Sequence, residues 1–300
     1  MEKVVQLARC YRIKHMVTAP NRLFGLVRIK QWPKNALVAA APIVSGAIPD
    51  SREIVQIVFG VLSFTMVSSI VYIINDLKDS QIDKHHSTKR FRPIAAGTVS
   101  RKEAIFVLLL LVLVSTGFLL QVNENFFIVI SIYFFLNILY TFKLKNIPIV
   151  ELLIVSSGFF LRTLSGAYIL DIPISEWFLL VTSFGSLYIV SVKRLTEKKS
   201  ESVTSARAVL EKYSMDFLLI VVGMSLTITL TSYGMWSFGR ENSDAYTGLS
   251  MFTLLFALMR YFLSAEKSKV ESPEDLIFND KSILISLVLT LSFVLASIYF

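Results

Sequence analysis

The chain has 300 residues, of which 54% are hydrophobic and only 17% are charged, and its formal net charge is +8. A soluble domain of this size would expose far more charge, so the composition argues against a soluble protein and favours one that crosses a membrane several times. A single cysteine excludes an intrachain disulfide and a cysteine-rich metal site.

The chain begins with a basic segment, residues 1–34, which we expect to lie in the cytosol or at the membrane interface, followed by a membrane domain over 35–300. Nine apolar runs approach the roughly 20 residues that a transmembrane helix needs. We therefore predict an all-α, polytopic bundle of nine transmembrane helices. The first run contains Pro42, so it is expected to be kinked or only partly inserted. The predicted spans are 35–49, 54–74, 104–121, 126–142, 147–168, 176–192, 215–238, 249–264 and 282–299.

Basic residues are distributed very unevenly between the two sides of this bundle. With the N-terminus in the cytosol, 26 of the 30 lysines and arginines fall in cytosolic segments, and the outer loops hold only Arg52 and Arg240. This asymmetry is what the positive-inside rule predicts for a protein of the plasma (inner) membrane. The orientation of the protein in the membrane and the binding of anionic ligands together explain the positive net charge. Binding to nucleic acid is not needed to explain it. Because the outer loops are short, we expect the chemistry at the cytosolic ends of the spans.

An acidic face follows the second predicted span. Asn75, Asp79 and Asp83 recur every four residues, so they share one face if the helix continues. Like charges at this spacing repel each other, and Mg²⁺ would offset the repulsion because it prefers hard oxygen ligands together with substrate phosphates. The alternative is a solvated acidic helix end paired with lysines. Ionisable groups emerging from an apolar span are usually functional, so we favour a metal site.

A basic cluster comes directly after these acids. Lys89, Arg90 and Arg92 can bind the phosphate oxygens that a metal leaves unpaired, and arginine can do so in a bidentate manner. One or two of them could instead anchor the chain at the membrane face. The neighbouring His85 and His86 are expected to form hydrogen bonds in a loop more readily than to bind metal. The acidic face and the basic cluster together predict a diphosphate site.

These residues resemble a known family. The pattern Asn75-Asp76-x-x-Asp79-x-x-x-Asp83 resembles the first aspartate-rich motif of the UbiA prenyltransferase superfamily. Continued through Lys89-Arg90-Phe91-Arg92-Pro93-Ile94-Ala95-Ala96-Gly97, it more closely resembles the decaprenyl-phosphate phosphoribosyltransferase branch. The similarity runs over nearly the whole chain and implies a nine-helix bundle with a central cavity open to the cytosolic side. Other segments similar to that branch are Arg28-x-x-Gln31-Trp32-Pro33-Lys34-Asn35, Trp177-Phe178-Leu179-Leu180, Phe184-Gly185-Ser186-Leu187, Lys193-Arg194-x-x-Glu197 and Ser272-Pro273-Glu274-Asp275.

The second site region departs from the aromatic members of the superfamily. Those enzymes usually carry a second aspartate-rich motif here, whereas this chain has Lys143, Lys145, Glu151 and Arg162. Glu151 and Arg162 lie 11 residues apart, about 16 Å along a helix, so a direct ion pair is not expected. An unpaired arginine at mid-helix costs about 2.5–3.5 kcal/mol, so Arg162 should face a cavity or an anionic ligand. The extra cations favour a second substrate that is also a phosphate.

The resemblance implies a reaction between two phosphates. 5-Phosphoribosyl 1-diphosphate and a polyprenyl phosphate, held at the bilayer, would give polyprenylphosphoryl-phosphoribose and diphosphate. Mg²⁺ held by Asn75, Asp79 and Asp83 would neutralise the departing diphosphate, and Lys89 and Arg92 would assist. We therefore predict Asp79, Asp83, Lys89 and Arg92 as catalytic residues. The predicted substrate-binding residues are Lys34, Tyr72, Lys89, Tyr140, Lys143, Arg162, Lys193 and Arg194.

Two other functions stay open at this point. An aromatic UbiA prenyltransferase would use the same first motif to hold a prenyl diphosphate, although the missing second motif argues against it. A transporter could use Glu151 and Arg162 to line a permeation path. That function would leave the acidic face and the basic cluster unexplained. The sequence does not indicate an oligomeric state or the length of the polyprenyl chain.

Overall fold

The structure, a computed structural model, describes residues 19–86, 88–199, 208–239, 245–267 and 273–299. All regular secondary structure in these ranges is helical, which confirms the predicted all-α class. Most of the predicted N-terminal segment, residues 1–18, lies outside the described residues, as do parts of two predicted basic loops and Ser272 of the last motif.

The helices follow one another with short connections. Two single 3₁₀ turns, Lys89–Phe91 and Leu144–Asn146, lie in loops. In chain order the remaining elements are α1 (Ala19–Leu26), a 3₁₀ segment (Ile29–Ala39), α2 (Ala40–Val44), α3 (Ser51–Asp83), α4 (Arg101–Leu119), α5 (Glu124–Phe142), α6 (Val150–Ile169), α7 (Glu176–Lys199), α8 (Ala208–Glu211), α9 (Met215–Phe238), α10 (Ala245–Lys267), α11 (Pro273–Asn279) and α12 (Lys281–Tyr299).

Eight of these helices in the described part of the chain are long and apolar enough to cross a membrane. They are α3, α4, α5, α6, α7, α9, α10 and α12, and they coincide with eight of the nine predicted spans, although α3 and α7 continue well past the predicted ends at 74 and 192. The protein is therefore a multi-pass membrane protein.

The first predicted span, 35–49, is not one continuous α-helix, in line with the expected irregularity, and the predicted count of nine spanning helices is not confirmed. The chain forms the 3₁₀ segment and then the five-residue α2. Pro33 lies inside the 3₁₀ segment and removes a backbone donor. The segment also packs very closely on α6, because a Cβ added at Gly166 would clash with the carbonyl oxygen of Val38. The chain thus forms an irregular segment whose backbone lies directly against the backbone of α6, instead of a regular helix.

Sequence signals at the helix ends explain where the long helices begin. Asp50 and Glu53 form a capping box at the start of α3, and Ser100 and Glu103 form one at the start of α4. Because successive spans alternate in direction, α3, α5, α7 and α10 end on the same side of the bundle. We call this side the basic end, because several described loop residues there are cations: Lys84, Lys89, Arg90, Arg92, Lys143, Lys145 and Lys212.

Burial distinguishes the inner helices from the outer ones. In their most apolar windows, 61% of α6 and 56% of α3 are buried within the protein, against 11% of α4. A helix that is apolar all round but little buried faces lipid. The two inner helices carry the predicted acidic face and Arg162, so the fold places these polar groups inside the bundle.

Candidate active site

Helix α3 carries the acidic face to the basic end of the bundle. It continues without interruption from Ser51 to Asp83, 33 residues, or about 50 Å at 1.5 Å per residue. That exceeds the roughly 30 Å hydrocarbon core, so its last turns extend beyond the apolar layer. Asn75, Asp79 and Asp83 therefore share one helix face, the condition on which the predicted metal site depends.

Each carboxylate of this face meets a cation from another part of the chain. Both oxygens of Asp79 accept hydrogen bonds from Lys145 Nζ, at 2.7 and 2.8 Å. Asp83 accepts one from Arg92 Nη1 at 2.7 Å. The side chains of Lys145 and Arg92 are 25% and 24% exposed. These long, partly exposed side chains are placed where they can exchange a carboxylate for a phosphate oxygen.

Asp76 joins the N-terminal segment to this site. It is almost fully buried and accepts hydrogen bonds on one oxygen from Arg28 at 2.5 Å and Arg92 at 3.1 Å. Its other oxygen, Oδ2, has no hydrogen-bond partner among the described residues. Arg28 also lies over the ring of Tyr72, 4.7 Å from the ring centroid. Asp76 and Arg28 belong to the segments that resemble the family, but the sequence did not predict them as site residues.

Lys34 lies next to this network, on the 3₁₀ segment. Its ammonium donates to Gln31 Oε1 at 2.6 Å and lies 5.7 Å from the centroid of the Phe159 ring. Burial, and after it the positive charges of Arg162, Lys193 and Arg28, lower the pKa of Lys34 to about 7. Three of the predicted substrate-binding cations, Lys34, Arg162 and Lys193, are therefore close enough to interact.

Arg162 lies deeper in the bundle, on α6, and is 4% exposed. Its guanidinium donates to Asn35 Oδ1 at 2.8 Å, to the Gly158 carbonyl at 2.6 Å and to the Tyr133 hydroxyl at 3.0 Å. All three acceptors are neutral. Rings of Phe64, Tyr133 and Phe159 lie within 6.0 Å of the guanidinium carbon. Buried charges are usually paired with an opposite charge. Arg162 departs from this rule, because no carboxylate of the described residues neutralises its positive charge.

Glu151 is paired elsewhere, as the 16 Å separation from Arg162 predicted. It is fully buried and binds Arg194 through both oxygens, Nε–Oε1 at 2.9 Å and Nη2–Oε2 at 2.9 Å. Arg194 also donates to Glu197 at 2.9 Å, and Lys193 approaches Glu197 at 3.9 Å. The predicted substrate residue Arg194 is thus enclosed in an ion pair, whereas its neighbour Lys193 is placed towards Lys34.

The remaining predicted residues occupy the edge of this region. Lys89 is half-buried in the first 3₁₀ turn, and its backbone amide donates to His86 Nδ1 at 3.4 Å. His86 therefore forms hydrogen bonds within the loop, as expected. Tyr140 is half-buried near the end of α5, and Lys143, which follows α5, is exposed. Sequence reasoning missed Lys145, because the Lys-x-Lys pattern does not show which lysine turns towards α3.

The donor set of the acidic face fits a magnesium ion. No group of three His, Cys, Asp or Glu side chains in the described ranges is arranged to hold a metal by itself. Mg²⁺ is usually held by one or two carboxylates, with substrate phosphates and water completing the shell. The amide oxygen of Asn75 and the carboxylates of Asp79 and Asp83 provide such a partial set on one helix face. The site is suited to a metal that arrives with a diphosphate.

Comparison with known proteins places the chain among membrane transferases. The model of the UbiA prenyltransferase family matches residues 36–278. The chain is 35% identical over 278 residues to the decaprenyl-phosphate phosphoribosyltransferase of Mycobacterium tuberculosis (strain ATCC 25618 / H37Rv), with 89% of this chain and 92% of the relative covered. It is 36% identical to the protein of that name from Corynebacterium glutamicum, with 85% and 80% covered.

The fold is also similar to a solved structure. A UbiA homologue from Archaeoglobus fulgidus bound to GPP and Mg²⁺ superposes with a TM-score of 0.69, covering 93% of this chain and 100% of the other. The two sequences are 16% identical, so this likeness concerns the fold.

Proposed function

The chain belongs to the UbiA prenyltransferase family, and we propose that it transfers 5-phosphoribose from 5-phosphoribosyl 1-diphosphate to a polyprenyl phosphate of the decaprenyl type. The relatives named decaprenyl-phosphate phosphoribosyltransferase support this choice. The observation that carries it is a buried arginine beside the acidic face, Arg162, which is 4% exposed. Arg162 donates only to neutral groups, and Lys34 and Lys193 lie close to it. Two phosphate-bearing substrates would supply the missing negative charge.

The same observation separates this function from aromatic prenylation. A phenolic acceptor brings at most one carboxylate, whereas a polyprenyl phosphate brings a phosphate group to Arg162 and the lysines near it. The only acid of the second site region, Glu151, is fully buried in its pair with Arg194. A second metal site built on Glu151 would require that pair to open, leaving Arg194 with only the partly exposed Glu197 as a partner, and breaking a buried ion pair costs about 3–5 kcal/mol.

In the proposed site, the donor diphosphate lies at the end of α3. Asn75, Asp79 and Asp83 would hold Mg²⁺, which when bound neutralises charge on the departing diphosphate. Lys145 and Arg92, which pair with Asp79 and Asp83 in the structure, would move a short distance to the phosphate oxygens. Lys89 would add a further positive charge from the adjoining loop. These cations act electrostatically and need not transfer a proton.

The acceptor phosphate lies nearer the buried cations. Lys34, Arg162 and Lys193 would orient it, and Tyr72, Tyr140 and Lys143 would border the two substrates. An oxygen of the acceptor phosphate attacks the anomeric carbon as the bond from that carbon to the diphosphate oxygen breaks. The phosphate oxygen is already ionised at neutral pH, so no general base is required. Arg194 would act indirectly, by holding α7 against Glu151.

The proposed setting is the plasma membrane, with the basic end in the cytosol. There the water-soluble donor can reach the end of α3 directly. The polyprenyl chain would leave sideways between helices and stay in the bilayer, which avoids exposing a long apolar chain to water. The positive-inside rule supports this orientation.

A transfer assay tests the proposal. Purified protein in detergent would receive 5-phosphoribosyl 1-diphosphate labelled in the ribose, polyprenyl phosphate and Mg²⁺, with EDTA in a parallel sample. We expect label in the organic phase only when metal and acceptor are both present. A second arm offers a prenyl diphosphate and a phenolic acid. Prenylated phenol with no labelled lipid would overturn the proposal in favour of an aromatic prenyltransferase.

A further inference from the structure

A cavity of about 410 Å³ lies away from the candidate active site, between the ends of α10 and α12. Lys267, the last residue of α10, and Lys281, the first residue of α12, both line it. Both helices are long and apolar enough to span a membrane. The cavity therefore lies at the level where two spans leave the hydrocarbon layer, at the basic end. Its volume falls within the range of about 300–1,000 Å³ typical of small-molecule sites.

Positive charge dominates the described lining of this cavity. Three cations, Arg260, Lys267 and Lys281, face one carboxylate, Asp280. Hydrogen bonds from Ser264, and then from Arg260, hold the pKa of Asp280 below its usual range, so this carboxylate stays ionised at neutral pH. The lining thus carries an excess of two positive charges.

Both oxygens of the Asp280 carboxylate already accept hydrogen bonds from neighbouring groups. Asp280 Oδ2 accepts from Arg260 Nε at 2.9 Å and from the Ser264 hydroxyl at 2.5 Å. Its Oδ1 accepts from the backbone amide of Ser282 at 3.0 Å. Asp280 engages only the Nε of Arg260, and no acceptor in the described part of the chain takes the two terminal nitrogens. Those nitrogens and the two lysine ammonium groups are the donors that an anion would meet.

The same cavity has an apolar wall. Leu263 and Leu276 line it together with the cations, and the Leu263 side chain is 41% exposed. A small soluble anion would gain nothing from this wall, whereas a lipid offers a phosphate for the cations and an acyl chain for the leucines. Cations beside the surface of an anionic membrane are each worth about 1 kcal/mol.

From this combination of charge, apolar wall and membrane level, we infer that the cavity between α10 and α12 binds the phosphate headgroup of an anionic phospholipid. This site lies outside the cluster of α3, α6 and the 3₁₀ segment to which we assign catalysis. Its lipid would be a bound structural lipid rather than a substrate. The inference does not depend on which reaction the chain catalyses.

Native mass spectrometry of the full-length protein in detergent tests this site. The probes are dioleoylphosphatidylglycerol, dioleoylphosphatidylcholine and inorganic phosphate. We expect the anionic lipid to be retained, the zwitterionic lipid to bind at least tenfold more weakly, and millimolar phosphate not to displace the lipid. Displacement by phosphate at that concentration, or equal retention of both lipids, would overturn the assignment to an anionic lipid.

The variant K267Q/K281Q removes two exposed charges and leaves the Arg260–Asp280 pair in place. Retention of the anionic lipid should fall about 25-fold, which is the factor for two cations worth about 1 kcal/mol each. K102Q is the matched control, because Lys102 is an exposed lysine at the start of α4, at the same end of the bundle. Equal loss in K102Q would show a general effect of surface charge, and no loss in K267Q/K281Q would show binding elsewhere. Either result contradicts the inference.

Discussion

Two sets of paired charges lie at the basic end of the bundle, and they differ in exposure. At the end of α3, Asp79 and Asp83 meet Lys145 and Arg92, and both cations are about one-quarter exposed. On α6 and α7, Glu151 and Arg194 pair with 0% and 2% exposure. Partly exposed pairs contribute little to stability and exchange partners easily. A fully buried pair cannot lose one partner without leaving a buried charge. We therefore assign catalysis to the first set and stability to the second.

The largest effect on activity should come from Asp79→Asn. The substitution keeps the side-chain size but removes the negative charge of a metal ligand, and a metal contributes several kcal/mol of charge stabilisation, so the transfer rate should fall about 10³-fold. The unfolding temperature should change little, because the Lys145 partner is partly exposed. Initial rates and thermal unfolding in detergent provide the two measurements. Asp216→Asn, at an exposed acid in the first turn of α9, is the control, and equal rates for both variants would contradict the assignment.

The largest effect on stability should come from Glu151→Gln. It leaves the Arg194 guanidinium buried without its bidentate partner and should lower the free energy of unfolding by about 3–5 kcal/mol. The double variant Glu151→Leu/Arg194→Met should recover most of this loss, because it removes both charges. Thermal unfolding of the single and double variants measures the difference. If Glu151→Gln is as stable as the wild type, the buried Glu151–Arg194 pair does not stabilise the fold.

A smaller effect should come from Lys145→Ala. A hydrogen bond to a charged group contributes about 1.5–3 kcal/mol, so the KM for 5-phosphoribosyl 1-diphosphate should rise about tenfold. The KM for the polyprenyl phosphate should stay constant. Steady-state kinetics with each substrate varied in turn provide this comparison, and Lys102→Ala controls for loss of a lysine at the same face. A rise in the acceptor KM alone would place Lys145 at the other phosphate.

The smallest effect concerns pH. Burial lowers the pKa of Lys34 to about 7, so its ammonium is mostly charged at pH 6.5 and mostly neutral at pH 8. If charged Lys34 binds a phosphate, kcat/KM should fall about eightfold between these pH values, since kcat/KM reports the free enzyme. Lys34→Arg should remove this decline, because arginine stays charged. Ionisation of the substrates is common to both proteins, so identical profiles would exclude the role of Lys34.

Much of the fold could be predicted from local sequence patterns. Eight apolar runs became eight long helices because each run is long enough to span a membrane and is bounded by polar loops. Proline predicted an irregular first run, but the 3₁₀ form itself was not predicted, because it also involves the contact of Val38 with Gly166, which lies 128 positions further along the chain. A tertiary contact of this kind leaves no signal in a local window.

The candidate site was predicted to a similar extent. The four-residue spacing of Asn75, Asp79 and Asp83 identified a single helix face, because α3 continues through all three residues. The partners of those residues come from distant segments. Asp76 pairs with Arg28, 48 residues away, and Asp79 with Lys145, 66 residues away. Composition suggests that cations are present, but only the fold shows which cation faces which acid.

The assignment of catalysis to the charge pairs at the end of α3, and of stability to the Glu151–Arg194 pair, is tested most directly by metal binding. Metal binding can be measured separately from turnover. Mn²⁺ in place of Mg²⁺ can be followed by electron paramagnetic resonance in the presence of 5-phosphoribosyl 1-diphosphate. We expect tight binding to the wild type and to Glu151→Leu/Arg194→Met, and weak binding to Asp79→Asn. Tight binding to Asp79→Asn, combined with loss of binding in the double variant, would contradict this assignment and move the metal to the Glu151 region.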